Sequence, residues 1–158
     1  MGIINNKNII YNNSKTFFWA SIFLPKNILN KVINIYSFCR IHDDIVDEGI
    51  SEGSIEETKE LEEIVKSYGV SEKLIEELVS GINSDINFKR YRNNDELLRY
   101  CYKVAGVVGL MMSIALEIKS KEAKYFAIDL GIAMQLTNIS RDIIQDFNKN
   151  RIYLPEDT

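Results

Sequence analysis

Residues 26–47, KNILNKVINIYSFCRIHDDIVD, decide the fold class. Ile28, Val32, Ile35, Tyr36, Cys39, Asp43 and Val46 recur at spacings of three and four, the period of one helix face. Asp43 intrudes on that apolar stripe, and Asp47 follows four residues later. Both carboxylates therefore project from the same face, one turn apart. Like charges so placed repel by a few tenths of a kcal/mol unless something cationic lies between them.

Working outward, every other periodic segment also reads as helix. Ser14–Leu24 is apolar on most sides and stops at Pro25, which ends or restarts a helix. Gly49–Gly53 is a loop, and Glu56–Tyr68 an acidic amphipathic helix with Gly69 where a C-terminal cap belongs. Ser71 is placed to cap a helix over Leu74–Ser84, and the polar, basic stretch Asn87–Asn94 is a loop. Asn93-Asn94-Asp95-Glu96 opens a long helix to about Ile118, and a last helix runs from about Lys121 to Phe147. Two prolines and eight glycines leave long uninterrupted stretches, and no strand alternation or internal repeat interrupts them. The expectation is an all-α protein with a single domain over residues 1–158.

Composition excludes some functions. With 19 Lys and Arg against 23 Asp and Glu the formal charge is −4, without the basic footprint of a nucleic-acid binder. The acidic runs Glu52–Glu63 and Glu72–Glu77 read as solvated helix faces. Cys39 and Cys101 have neither CxxC nor zinc spacing and read as reduced, buried thiols of a cytosolic protein. Met1–Asn13 is polar and asparagine-rich, unlike a signal peptide. The most apolar window, Val104–Leu116, is shorter than the ~20 residues that span a bilayer, so it is a core helix or a membrane-facing wall.

The spacing of Asp43 and Asp47 recurs at Asp142 and Asp146, again among apolar neighbours: Ile132, Ala133, Leu136, Ile139 and Ile143. Mg²⁺ answers this arrangement, since it takes oxygen ligands and bridges one or two carboxylates to substrate phosphates. Two such walls could clamp a diphosphate. An arginine stands beside each pair, Arg40 and Arg141, and guanidinium binds phosphate oxygens in bidentate fashion. An ion pair with a neighbouring aspartate is the plainer role for each, and the two roles are compatible. Asn138 and Gln135 precede Asp142 by four and seven residues; their amides complete a metal shell, bind phosphate, or serve as buried caps. His42, the single histidine, is given no role. Gly106, Gly109, Met111 and Met112 read first as core packing, although small residues at helical spacing also leave a groove for a long hydrocarbon.

These blocks, in this order, resemble the squalene/phytoene synthase family. The resemblance is carried by Ser14-Lys15-Thr16-Phe17, by Tyr36-Ser37-Phe38-Cys39-Arg40 running into Asp43-Asp44-Ile45-Val46-Asp47-Glu48, and by Tyr100-Cys101-Tyr102-Lys103-Val104-Ala105-Gly106. Gln135-Leu136-Thr137-Asn138-Ile139-Ser140-Arg141-Asp142, then Asp146 and Arg151-Ile152-Tyr153-Leu154-Pro155, complete it. The resemblance implies an isoprenoid-synthase-type helical bundle and head-to-head condensation of two allylic prenyl diphosphates. One diphosphate ionises with Mg²⁺, and the allylic cation alkylates the second molecule. A cyclopropyl diphosphate then ionises and rearranges, with NADPH used only in squalene-type chemistry. It implies that Asp43 and Asp47 ligand metal on one wall and Asn138, Asp142 and Asp146 on the other, the four aspartates being catalytic. It places Ser14, Lys15, Thr16, Tyr36, Arg40, Gln135 and Arg141 on the diphosphates, and Val104, Ala105, Gly109 and Met112 along the prenyl tunnel.

The chain also departs from the family pattern. Family chains continue past the Arg151–Pro155 block, so the bundle is expected to be incomplete at the C-terminus. The stretch between Glu48 and Gly81 is short, Gln145 replaces a usual glutamate, and Ser140 a larger apolar residue. The implied setting is cytoplasmic, with peripheral membrane contact, self-association or a complementing polypeptide. A non-catalytic remnant or assembly-factor-like interaction protein of the same fold is the competing expectation. Chain elongation by a DDxxD synthase fits Asp43–Asp47 alone and fails on the later blocks.

Overall fold

The computed structural model describes residues 19–21, 23–49 and 54–157, with only the backbone of Ser54. Besides the helical residues 19–21, seven α-helices and one π-helical turn make up the regular structure there, without strands among the described residues. They are α1 Lys26–Glu48, α2 Ser54–Ser67, α3 Glu72–Asn83, α4 Asn94–Cys101, the π turn Tyr102–Gly106, α5 Val107–Ala115, α6 Lys121–Arg141 and α7 Ile143–Asn148. The all-α expectation holds. Most of the predicted helix Ser14–Leu24 lies outside the described residues.

The chain divides into two compact units. The first comprises the described residues of Met1–Glu72 with Ile114–Ile118. Its core is the seam between α1 and α2, where Ile28, Ile33, Ile35, Phe38, Leu61 and Val65 are buried. Asn34, also buried, donates to the Tyr68 hydroxyl at 2.6 Å, so its amide is not stranded among apolar side chains. Gly69, at φ 92°, ends α2 in the left-handed region that glycine enters without penalty.

The second unit comprises Lys73–Ser113 and Lys119–Thr158. Asn93 caps α4 by accepting the Glu96 amide at 3.0 Å. The Glu96 carboxylate reaches back to the Arg92 amide at 2.9 Å, one residue earlier than in a standard capping box. Ser120 caps α6 in the same way. Helix continues from Asn94 to Ala115, but with a π turn where the pattern predicts plain α-helix. By length and composition alone this run could cross a membrane, yet Leu97, Tyr100, Cys101, Val107 and Met111 are buried within the protein.

Close backbone approach sets the crossing with α6. A β-carbon on Gly109 would sit 2.1 Å from the Ala127 carbonyl oxygen, and one on Gly131 would sit 2.3 Å from that of Ala105. Neither position tolerates any side chain. α6 is apolar on several sides, and only Ile139 of it is buried. Tyr125, Phe126, Leu130 and Met134 stay exposed, as do Ile144 and Phe147 of α7. By contrast, Val107, Met111 and Ala115 of the apolar window are covered.

Candidate active site

The first carboxylate pair stands on the last turns of α1, an unbroken helix of 23 residues. Asp43 is half-buried and Asp47 exposed. Arg40 Nη2 lies 2.6 Å from Asp44 Oδ1, one turn on. The Arg40 Nε is buried and meets no acceptor among the described residues. A guanidinium held by one edge, with its Nε–H unsatisfied, has donor capacity left for an anion. Tyr36 lies half-buried one turn before Arg40, its hydroxyl pushed above the ordinary range by burial and held back partly by Arg40. His42 donates or accepts at Nδ1 against the Phe38 carbonyl at 2.9 Å and sits edge-on to the Phe38 ring, a packing role.

The second pair differs from the sequence expectation of one helix to Phe147. The helix breaks at Asp142, whose φ −103° and ψ 18° are not helical, and α7 begins at the next residue. There Arg141 grips its own neighbour, Nε to Asp142 Oδ1 at 2.7 Å and Nη2 to Oδ2 at 2.5 Å. Adjacent helical side chains diverge, so that bidentate pairing fits better with the backbone turned at Asp142. The Arg141 guanidinium holds the Asp142 carboxyl below the usual carboxylate range. The i, i+4 relation nonetheless survives. Asp142 N–H donates to the Asn138 carbonyl at 2.9 Å, and Asp146 N–H to the Asp142 carbonyl at 2.9 Å. Asn138 and Gln135 are half-buried with their amides 3.4 Å apart.

Of the tunnel candidates, Val104 and Ala105 are half-buried in the π turn, and Met112 is half-buried on α5. Gly109 is spent on the contact with Ala127. Ser14, Lys15 and Thr16 lie outside the described residues. An open apolar hollow of about 200 Å³ lies beside Asp146, walled by Ile139, Ile143, Phe147, Ile152 and Leu154.

The donor chemistry fits Mg²⁺. Each pair offers hard oxygen ligands one turn apart, and no cluster of three or more His, Cys, Asp or Glu exists among the described residues. Two carboxylates are what Mg²⁺ uses when phosphate and water fill its other positions. Asp43 and Asp47 would hold it on one unit, and Asp142 and Asp146, with Asn138, on the other.

Sequence reasoning missed a second group of residues, Asp85, Arg90, Tyr91, Tyr100 and Tyr153. Tyr153 stacks on Tyr100, with centroids 5.2 Å apart, and meets Phe88 at 5.1 Å. The Tyr100 hydroxyl donates to Asp85 Oδ2 at 2.9 Å. The aromatic residues were visible, but no helical period links Tyr91 to Tyr153, so no local signal joins them.

The described residues form an all-helical fold of the isoprenoid-synthase type. Within it, residues 10–60 and 55–158 match the squalene/phytoene synthase family, and the chain belongs to that family. It is 31% identical to a phytoene synthase of Cereibacter sphaeroides, over 96% of this chain and 51% of that protein. It is 34% identical to chloroplastic phytoene synthase 1 of Zea mays, over 91% of this chain and 42% of that protein. A crystal structure of a dehydrosqualene synthase in complex with ligand superposes with a TM-score of 0.81 at 29% identity, over 98% of this chain and 61% of that one. A squalene synthase structure from Alicyclobacillus acidocaldarius shares the fold, with a TM-score of 0.77 at 18% identity. The chain thus spans about half the length of the curated relatives it matches.

Proposed function

We propose that this chain carries the metal- and diphosphate-binding helices of a prenyltransferase that joins two allylic prenyl diphosphates head to head, in phytoene- or squalene-type synthesis. The observation that carries the reading is a pair of aspartates one turn apart in each unit, each among apolar side chains and each with an arginine alongside. A scaffold gains nothing from like charges placed so, whereas a diphosphate leaving group needs them bridged. Bound Mg²⁺ would supply neutralisation of the charge that develops on that leaving group. Arg40, through its unsatisfied Nε–H, and Tyr36 orient diphosphate oxygens at the first pair; Gln135 and Arg141 do so at the second. Val104, Ala105 and Met112 face the prenyl chain and keep water from the cation. NADPH enters only if the product is squalene. The test is product analysis after incubation with farnesyl or geranylgeranyl diphosphate and Mg²⁺. A chain that binds Mg²⁺ and pyrophosphate yet yields no hydrocarbon, alone or with a complementing polypeptide, defeats the catalytic reading.

One observation favours a second reading, a non-catalytic interaction protein. Tyr125, Phe126, Leu130, Ile144 and Phe147 are each more than 60% exposed on α6 and α7. Such a row marks an association or membrane surface. It supports a protein that self-associates, meets a complementing polypeptide or rests on a membrane. Light scattering and vesicle sedimentation separate these, and a clean monomer that ignores lipid vesicles and still turns over substrate removes all three.

A further inference from the structure

Asp146 does not keep its position through its own helix. α7 has only six residues, far below the length at which a helix is stable alone. Its end is closed by the chain beyond it: Arg151 N–H donates to the Asp146 carbonyl at 2.9 Å, and Lys149 N–H to the same oxygen at 3.0 Å. Residues 151–155 have no regular structure of their own. They are tied instead to the loop between α3 and α4. Arg90 donates from Nε to the Leu154 carbonyl and from Nη2 to the Pro155 carbonyl, both at 2.8 Å. Glu156 N–H donates to the Tyr91 carbonyl at 2.9 Å. Between these ties Tyr153 is buried among Phe88, Tyr91 and Tyr100. The Tyr100 hydroxyl donates to Asp85, and the Tyr153 hydroxyl, 3.3 Å away, can donate to Tyr100 in turn.

We propose that Arg90 and Tyr153 are positioning residues. They strap residues 151–156 to the α3–α4 loop, and through the Arg151–Asp146 bond they hold the Asp142–Asp146 turn in the geometry that receives a divalent cation and a diphosphate. The strap rests on the proposed function only for what that turn binds. Such a device has a place here because Asp142 leaves helical geometry and a single backbone bond, Asp146 N–H to the Asp142 carbonyl, carries the six-residue α7 on from α6. Both Arg90 bonds end on main-chain carbonyls, so the strap fixes the path of the backbone whatever side chains lie between.

The test uses the full chain, with Mn²⁺ and inorganic pyrophosphate as probe. Affinity is read by electron paramagnetic resonance of free Mn²⁺, and mobility by amide hydrogen exchange over residues 142–150. Arg90→Ala should weaken pyrophosphate-dependent Mn²⁺ binding about tenfold, the scale of lost outer-shell support at metal sites, and speed exchange in that segment. Arg90→Lys, which keeps the cation and one reachable donor, should recover most of the affinity. Leu78→Ala, a buried position on α3, should lower the melting temperature at least as much while leaving affinity unchanged. Unchanged exchange in Arg90→Ala, or an affinity loss matched by Leu78→Ala, overturns the strap. If the unaltered chain binds no Mn²⁺–pyrophosphate, the proposed function fails. Exchange then decides the strap alone: faster upholds it, unchanged overturns it.

Discussion

The two aspartate pairs share a spacing and little else. Asp43 and Asp47 ride a 23-residue helix whose inner face is buried along α2, so their separation is guaranteed by regular backbone. Asp142 and Asp146 straddle a break, and the second of them stands on a six-residue helix. The arginines differ to match. Arg40 pairs with Asp44 and keeps an unsatisfied Nε–H among the described residues; Arg141 holds Asp142 itself through Nε and Nη2. The same i, i+4 signature is thus rigid by local structure in one unit and by distant contacts in the other. The first pair is set by its own helix; the second is held by the chain around it.

The largest effect should come from the carboxylates themselves. Asp43→Asn and Asp142→Asn should each abolish Mg²⁺-dependent pyrophosphate binding by calorimetry while far-ultraviolet dichroism stays unchanged, since removing one of two like charges relieves repulsion. Loss with only one of them would show that the two pairs are not equivalent; lost helicity with binding intact would make the aspartates structural.

Glycine substitutions sharpen the contrast between local and distant support. Gly131→Ala places a β-carbon against the Ala105 carbonyl and should cost at least ~3 kcal/mol in urea unfolding, the upper range for overpacking. Gly69→Ala in the first unit meets open space and should lose only the ~1–2 kcal/mol of a left-handed residue. Equal losses would mean that the crossing of the π turn and α6 is softer than its geometry.

Ligand stabilisation comes next. At a hundredfold excess over Kd, pyrophosphate with Mg²⁺ should add about 2.7 kcal/mol to stability and raise Tm accordingly. The same rise in EDTA would remove the metal from the site.

The smallest effect concerns the aromatic cluster. Burial, aided by Asp85, pushes the Tyr91, Tyr100 and Tyr153 hydroxyls far above the ordinary value of 10.0. Their folded-state affinity for protons exceeds that of the unfolded chain, so their stabilisation is intact below pH 10 and declines as pH rises beyond it. Absorbance at 295 nm should show these three tyrosines ionising together with unfolding; free titration near pH 10 would mean the cluster is open. Tyr100→Phe should weaken the fold by only ~1–2 kcal/mol, because Asp85 is left without that donor.

Much of this protein was legible residue by residue. The helices, the cap at Asn93, the left-handed Gly69 and the one-turn spacing of both aspartate pairs follow from periodicity and short-range sterics, which act within about four residues. The block from Gln135 to Asp146 and the order of the motifs carried the family. Tertiary structure decided the rest. The π turn at Tyr102–Gly106 accompanies a crossing in which Ala105 meets Gly131, and Gly109 became a contact point because Ala127 lies against it. Arg90 became a clamp because the chain returns 64 residues later to place the Leu154 carbonyl within 2.8 Å of it. Periodicity reports which face of a helix is apolar; it holds no information on what that face meets, because the partner is chosen by packing between segments far apart in the chain.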